Sequence, residues 1–136
     1  MWMESSNAIY GRSNNAYNPR CTCGGSSGGT AALVAAGCGA FGLTSDVGGS
    51  TRIPAFYNGI FGLKPTGGIV SNENNYPTAY NEIDRYCQLG PSSRYCDDIW
   101  PILQIIKKPE IKLDKHPNNV DIKKLRYIYL DTSFDS

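Results

Sequence analysis

Apolar residues along this chain gather in one dense block before they fall into any rhythm. Residues 30–36 read Thr-Ala-Ala-Leu-Val-Ala-Ala. A helix with no polar face belongs in a packed interior. It follows Gly24-Gly25-Ser26-Ser27-Gly28-Gly29, a composition that a flexible linker would share. A floppy linker running straight into a buried helix is a poor fit, however. The glycines therefore predict a tight turn at the helix N-terminus, where backbones approach closely and where N–H groups and the macrodipole favour negative charge.

Residues 37–43 leave that helix, and a second glycine turn follows over 45–55, Ser-Asp-Val-Gly-Gly-Ser-Thr-Arg-Ile-Pro-Ala. Residues 56–66 are aromatic and apolar, with Gly59, Gly62 and Pro65 as punctuation, and predict a short strand. Asn-rich segments at 10–19 and 70–84 read as loops. Tyr95, Ile99, Ile102, Leu103 and Ile106 fall on one face of a further helix. Ser92 or Ser93 is expected to cap it, Asp97 and Asp98 suit its first turns, and Pro101 is expected to kink it. Adjacent carboxylates on a helix point about 100° apart, so Asp97 and Asp98 read as a solvated capping turn and not as an acid/base pair. A charged linker at 107–119 leads to Leu-Arg-Tyr-Ile-Tyr-Leu at 125–130, which alternates as a strand.

Composition narrows the picture by exclusion. With 136 residues the chain is one domain or a piece of one. Its 13 basic and 12 acidic residues make no patch for nucleic acid. Five scattered cysteines do not suggest a disulfide framework and read as reduced thiols in an intracellular setting. Cys21 and Cys23 are close, but one histidine and no second cysteine pair make a metal site a poor reading. The longest apolar run, 31–43, is broken by Gly37, Gly39 and Gly42 and falls short of the ~20 residues of a membrane span. The first residues have neither the basic start nor the apolar run of a signal peptide and read like the middle of a longer protein.

Candidate chemistry lies in the two glycine turns. Gly-x-Ser-x-Gly occurs twice within 24–29, but Gly/Ser-rich text matches that nucleophile-elbow pattern easily. The histidine such an elbow needs would be His116, which sits in a polar loop and reads as a surface residue. No Gly-Lys-Ser/Thr follows the glycines, so a phosphate-binding loop is not indicated. In the second turn, consecutive N–H groups around Gly48, Gly49 and Ser50 suit a concave anion site. A serine ending such a nest is placed to attack a carbonyl whose oxygen those amides then hold. Asp46 and Arg52 flank it with opposite charges. A plain Gly-Gly turn with a flanking ion pair has the same spacing, and spacing does not choose between them.

The text GGSSGG, then SDVGGSTRIPA, then GLKPTGG, with Ser26 24 positions before Ser50, resembles the amidase signature family. The flanks YGRSNN, RIPAFYNGIFG and GPSSRYCDD are most similar to the fatty-acid amide hydrolase group of that family, second type. The likeness runs from about Trp2 to about Ile106. It implies an α/β fold, a mixed β-sheet core covered by helices, incomplete here. It divides the chain into a partial domain over 1–136, with a leading segment (1–23), the signature core (24–67), a loop and helix (68–106), and a linker and strand (107–136).

The resemblance also implies roles. Ser50 would be the acylated nucleophile. Ser26, on an unusual cis peptide, would relay a proton between a general-base lysine and Ser50. Val47, Gly48, Gly49 and Ser50 would give the oxyanion-hole amides, and Asp46, Arg52 and Ser27 would brace them from behind. Leu63, Lys64, Pro65 and Thr66 match a structural motif, so Lys64 is not the catalytic lysine. A Ser-Ser-Lys relay needs no histidine, because burial and positive neighbours can bring a lysine into the range of a base. No metal or organic cofactor is implied.

The expected partner is a small-molecule amide with an acyl chain. A second copy of a full-length enzyme and membrane association of that enzyme are left open. Ser45, where the family often has Thr, is a mild departure, and Leu89 before Gly90-Pro91 departs from a common Thr. The main departure is that no lysine precedes Lys64, whereas the family's base lies upstream of the Gly-Ser turn. Two alternatives stand beside the serine amidase: the glutamine-hydrolysing component of a tRNA-dependent amidotransferase, which carries the same signature, and a non-catalytic binding remnant. The 136-residue chain by itself is expected to show no turnover; release of amine from a long-chain amide by the purified chain, abolished by Ser50→Ala, would contradict this.

Overall fold

The structure is a computed structural model, and it describes residues 2–113 and 116–128. A small antiparallel hairpin, β1 (Ser6–Asn7) and β2 (Gly11–Arg12), opens the chain. Then come α1 (Gly28–Ala35), β3 (Phe41–Asp46), α2 (Arg52–Tyr57), β4 (Phe61–Gly62), α3 (Glu82–Tyr86), β5 (Gln88–Ser93) and α4 (Cys96–Ile106). Single 3-10 turns at Pro117–Asn119 and Ile122–Lys124 follow.

The main sheet has the order β3-β5-β4. β5 pairs antiparallel with β3 from Phe41 opposite Ser93 to Asp46 opposite Gln88, and antiparallel with β4. Every strand pair among the described residues is antiparallel, and helices pack on the sheet, giving a mixed α/β architecture. Gly42, Thr44 and Asp46 alternate inward along β3 while Phe41 and Leu43 stay exposed. α1 lies over the inward side: a Cβ on Gly42 would meet the side chains of Thr30, Ser92 and Val34. Ala31, Val34 and Ala35 of α1 join Ala55 of α2 and Ile60 in the apolar core. α4 packs against β5 and β4, and its Pro101 and Ile102 line a cavity with Phe41.

Both inner helices end in the same way. After α1, Gly37 takes φ +77, its N–H reaches Val34 O, and Cys38 N–H reaches Leu33 O. After α2, Gly59 takes φ +62, its N–H reaches Phe56 O, and Ile60 N–H reaches Ala55 O. These paired bonds satisfy the last carbonyls and need a left-handed residue, which glycine supplies at no steric cost.

Several expectations are corrected. The strand expected over 56–66 shrinks to Phe61–Gly62, because residues 56 and 57 finish α2. Pro54, third in α2, has no N–H, and at a helix start none is needed. Ser92 and Ser93 do not cap α4; they belong to β5, and Tyr95 stands at the cap in an extended conformation. Ser93 still serves that end, its hydroxyl accepting from Tyr95 N at 3.3 Å and donating to Asp98 Oδ2 at 2.7 Å. α4 runs on through Pro101 to Ile106. Residues 125–128 of the expected final strand are not a strand; residues 129 and 130 lie outside the described residues.

Gly90 of β5 passes so close to β4's continuation that an added Cβ would overlap Leu63 O and sit 3.0 Å from Pro65 Cδ. Backbone cannot yield as a side chain can, so Gly90→Ala is expected to cost about 1–3 kcal/mol, as overpacking does. Gly29→Ala, in open helical space, should be neutral or slightly stabilising. Urea midpoints of the two variants check this contrast.

Candidate active site

The first glycine turn is held from below by the leading segment. The Gly25–Ser26 peptide is cis and Gly24 has φ +76. A Cβ on Gly25 would stand 2.5 Å from Glu4 N and 2.6 Å from both Glu4 O and Trp2 O, so only glycine fits there. The Ser5 hydroxyl donates to Gly24 O at 2.9 Å and accepts from Gly28 N at 3.0 Å. Ser27 N–H donates to Ser50 O at 3.3 Å, which joins the two glycine turns. The amides of Ser27 and Gly28, expected to face negative charge at the start of α1, are thus already bonded within the protein.

The second turn is organised by Asp46, which is fully buried. Its Oδ1 accepts from Gly49 N at 2.6 Å and Arg52 Nη2 at 3.0 Å. Its Oδ2 accepts from Thr51 N at 3.1 Å, Arg52 N at 3.3 Å and Arg52 Nε at 2.9 Å. Burial pushes the Asp46 carboxyl up, but the Arg52 guanidinium and the three backbone N–H groups outweigh it and hold the group down at about 2. Gly49 is therefore corrected as an oxyanion donor: its N–H is consumed by Asp46. The N–H groups of Val47, Gly48 and Ser50 make no hydrogen bond to another described residue.

Two cavities meet this region. Ser50 opens on one of ≈ 260 Å³, walled by Trp2, Met3, Val47, Gly48 and Ile53 and mostly apolar. Ser26 and Ser27 open on another of ≈ 410 Å³, where Glu4, Ser5, Ser13 and Thr30 bring polar groups. Trp2 lines both. Arg52 stays half exposed while its guanidinium is bidentate on Asp46.

Residues that sequence reasoning passed over hold the two turns in place. Asn58 Nδ2 donates to Cys23 O and Pro54 O, each at 2.9 Å. Asn15 Nδ2 donates to Tyr57 O at 2.6 Å. Together they clamp the approach to Ser26 onto the helix that follows Ser50. Asn15 lies in a segment read as a plain connecting loop; its burial, which composition does not reveal, is what distinguishes it.

Other nucleophile candidates are weak. The thiols of Cys23 and Cys87 are raised by burial, so neither is a ready thiolate. His116 caps the turn at Pro117–Asn119 and lies edge-on to Trp100 of α4. Among the described residues, no three His, Cys, Asp or Glu side chains gather as metal ligands, and no helix is long and apolar enough to cross a membrane.

This chain belongs to the amidase family, whose family model matches residues 1–129. It is 46% identical over 127 residues to fatty-acid amide hydrolase 2-B of Danio rerio, covering 93% of this chain and 24% of the relative. It is 45% identical over 131 residues to fatty-acid amide hydrolase 2 of Homo sapiens, covering 96% of this chain and 25% of the relative. Among solved structures, an amidase crystal structure superimposes with a TM-score of 0.69 at 38% identity, over 78% of this chain and 24% of that one. The chain thus spans about a quarter of the length of these relatives.

Asp46 also predicts a pH dependence. Its folded value lies below its ordinary 3.8, so the stability it contributes is fully present above that value and is lost as pH falls through about 2. The contribution is expected to be no more than about 2 kcal/mol, since water screens the half-exposed Arg52. Denaturant midpoints between pH 5 and pH 2 should fall along this limb, and Asp46→Asn should flatten it. An equally steep limb in the variant would count against the assignment.

Proposed function

We propose that this sequence carries the nucleophile half of a serine amidase that cleaves fatty-acid amides. Ser50 Oγ attacks the amide carbonyl carbon. Its proton passes to Ser26 and from there to a lysine contributed from outside this chain. The amides of Val47, Gly48 and Ser50 take the charge that develops on the carbonyl oxygen. The proton then goes to the departing nitrogen as the C–N bond breaks, leaving acyl-Ser50. Water, deprotonated by the same relay, cleaves the ester and restores Ser50.

One observation carries the reading: the Asp46-braced turn leaves three N–H groups around Ser50 without a bond to another described residue and is tied by Ser27 N–H to the turn that holds Ser26. Residues 24–67 are accordingly read as the signature core. The apolar walls of the Ser50 cavity and the likeness to fatty-acid amide hydrolases 2 favour a long acyl chain over glutamine. The absence of lysine before Lys64 favours a second reading, a non-catalytic binding remnant, if no lysine outside this chain completes the relay.

In the full-length protein, a fluorophosphonate should label Ser50, and oleamide should be hydrolysed in preference to glutamine. Ser50→Ala should abolish labelling and lower kcat by roughly 10³-fold or more, while Ser26→Ala should lower it by roughly 10²–10⁴-fold. Labelling that persists in Ser50→Ala would overturn the assignment of the nucleophile. Glutaminase activity exceeding oleamide hydrolysis would favour the amidotransferase-type reading.

A further inference from the structure

We propose that Thr51 is a positioning residue for Ser50, held by a hydroxyl relay through Thr44 to the backbone of Gly90; the proposal rests on Ser50 being the nucleophile. Thr51 and Thr44 are both buried, at 1% and 5% exposure, and their Oγ1 atoms lie 2.7 Å apart. Thr44 Oγ1 also lies 3.1 Å from Gly90 O. A carbonyl oxygen only accepts, and a threonine hydroxyl has one proton. Thr44 therefore donates to Gly90, and Thr51 donates to Thr44. This relay runs from the residue after the nucleophile through β3 to the central strand β5.

The peptide between Ser50 and Thr51 is fixed on both sides. Ser50 O accepts from Ser27 N–H at 3.3 Å, and Thr51 N–H donates to Asp46 Oδ2 at 3.1 Å. Thr51 O accepts from Ala55 N at 3.1 Å, inside α2. The Thr51 methyl meets β4, where a Cβ on Gly62 would stand 3.1 Å from Thr51 Cγ2. Thr51 thus meets β3 and β4 directly and reaches β5 through Thr44, and Ser50 makes no hydrogen bond through its N–H or its Oγ to another described residue. A valine at 51 would keep the shape but leave Thr44 Oγ1 buried without its donor, releasing the turn from the sheet. Misplacement of a reacting group by about 1 Å can cost roughly 10²-fold. The walls of the Ser50 cavity do not include Thr51 or Thr44, so substrate binding should not follow.

The test uses the full-length protein with oleamide kinetics, the rate of fluorophosphonate labelling at Ser50, and melting temperature. Thr51→Val is expected to lower kcat and the labelling rate together by roughly 10- to 100-fold, with KM within about twofold. Thr44→Val should do the same from a distance, and it carries the test if Thr51→Val does not fold. The double variant should be no worse than the worse single one, because both break one relay. Thr51→Ser, which keeps the hydroxyl, should restore kcat to within about threefold. A lowered melting temperature with kcat and labelling unchanged would make the pair merely structural and overturn the proposal, as would full independence of the two losses or failure of Thr51→Ser to rescue. A parent protein that is never labelled at Ser50 would instead overturn the nucleophile reading on which the proposal rests.

Discussion

A carboxylate without water is the constraint around which this site is built. Taking Asp46 fully out of solvent is costly, and the cost is offset only because five donors converge on its two oxygens. Four of them come from Gly49, Thr51 and the side chain of Arg52, and the fifth is the Arg52 backbone. The 46–52 turn is thereby folded onto its own first residue. The same bonds sort the amides of the turn. Those of Gly49, Thr51 and Arg52 point back to the carboxylate, and those of Val47, Gly48 and Ser50 are left over. The carboxylate thus decides which amides of the turn are committed within it.

Legibility followed the range over which each feature is determined. The α1 helix and the two glycine turns could be read because small residues in a row, with no polar face, leave few alternatives. The pairing of Asp46 with Arg52 could be anticipated from their opposite charges on either side of the turn. The commitment of Gly49 to Asp46 could not, since it depends on which way one peptide faces. β5 was missed because it contains Pro91, which cannot donate to a ladder and normally argues against a central strand; here Pro91 sits opposite Leu43 and its carbonyl accepts from Leu63 N at 3.0 Å. β3 was missed because its inward positions are Gly42, Thr44 and Asp46, the reverse of an apolar-inward alternation. Asn15 falls in a stretch that reads as a loop and Asn58 in one that reads as a short strand, and only their burial shows them to be clamps.

That inverted alternation has a consequence for packing. The sheet turns its polar and small residues toward α1 and α2, where Thr44, Thr51 and Ser92 are buried and hydrogen-bonded. It turns Phe41 and Leu43 outward, at 52% exposure each. The contiguous apolar cluster within the described residues is correspondingly small, five residues dominated by alanine, with Cys23, Val70, Cys87 and Leu103 buried outside it. Order in the interior therefore comes less from apolar area than from directional bonds: the Asp46 cluster, the threonine relay and the two asparagine clamps. Such networks specify one geometry to the extent that their members are satisfied; the buried Asn58 Oδ1 has no partner among the described residues.

The proposed chemistry places a demand on this arrangement that the two cavities meet in different ways. An acyl chain needs apolar walls, and Ser50 opens on Met3, Val47 and Ile53. A proton relay needs hydroxyl groups and a place for a cation, and Ser26 opens on hydroxyl-rich surroundings that include the Glu4 carboxylate. The Thr22 hydroxyl, 2.6 Å away, lowers the pKa of Glu4, so this wall stays negative. Trp2 lines both cavities. The bond between Ser27 N–H and Ser50 O is the backbone link between them.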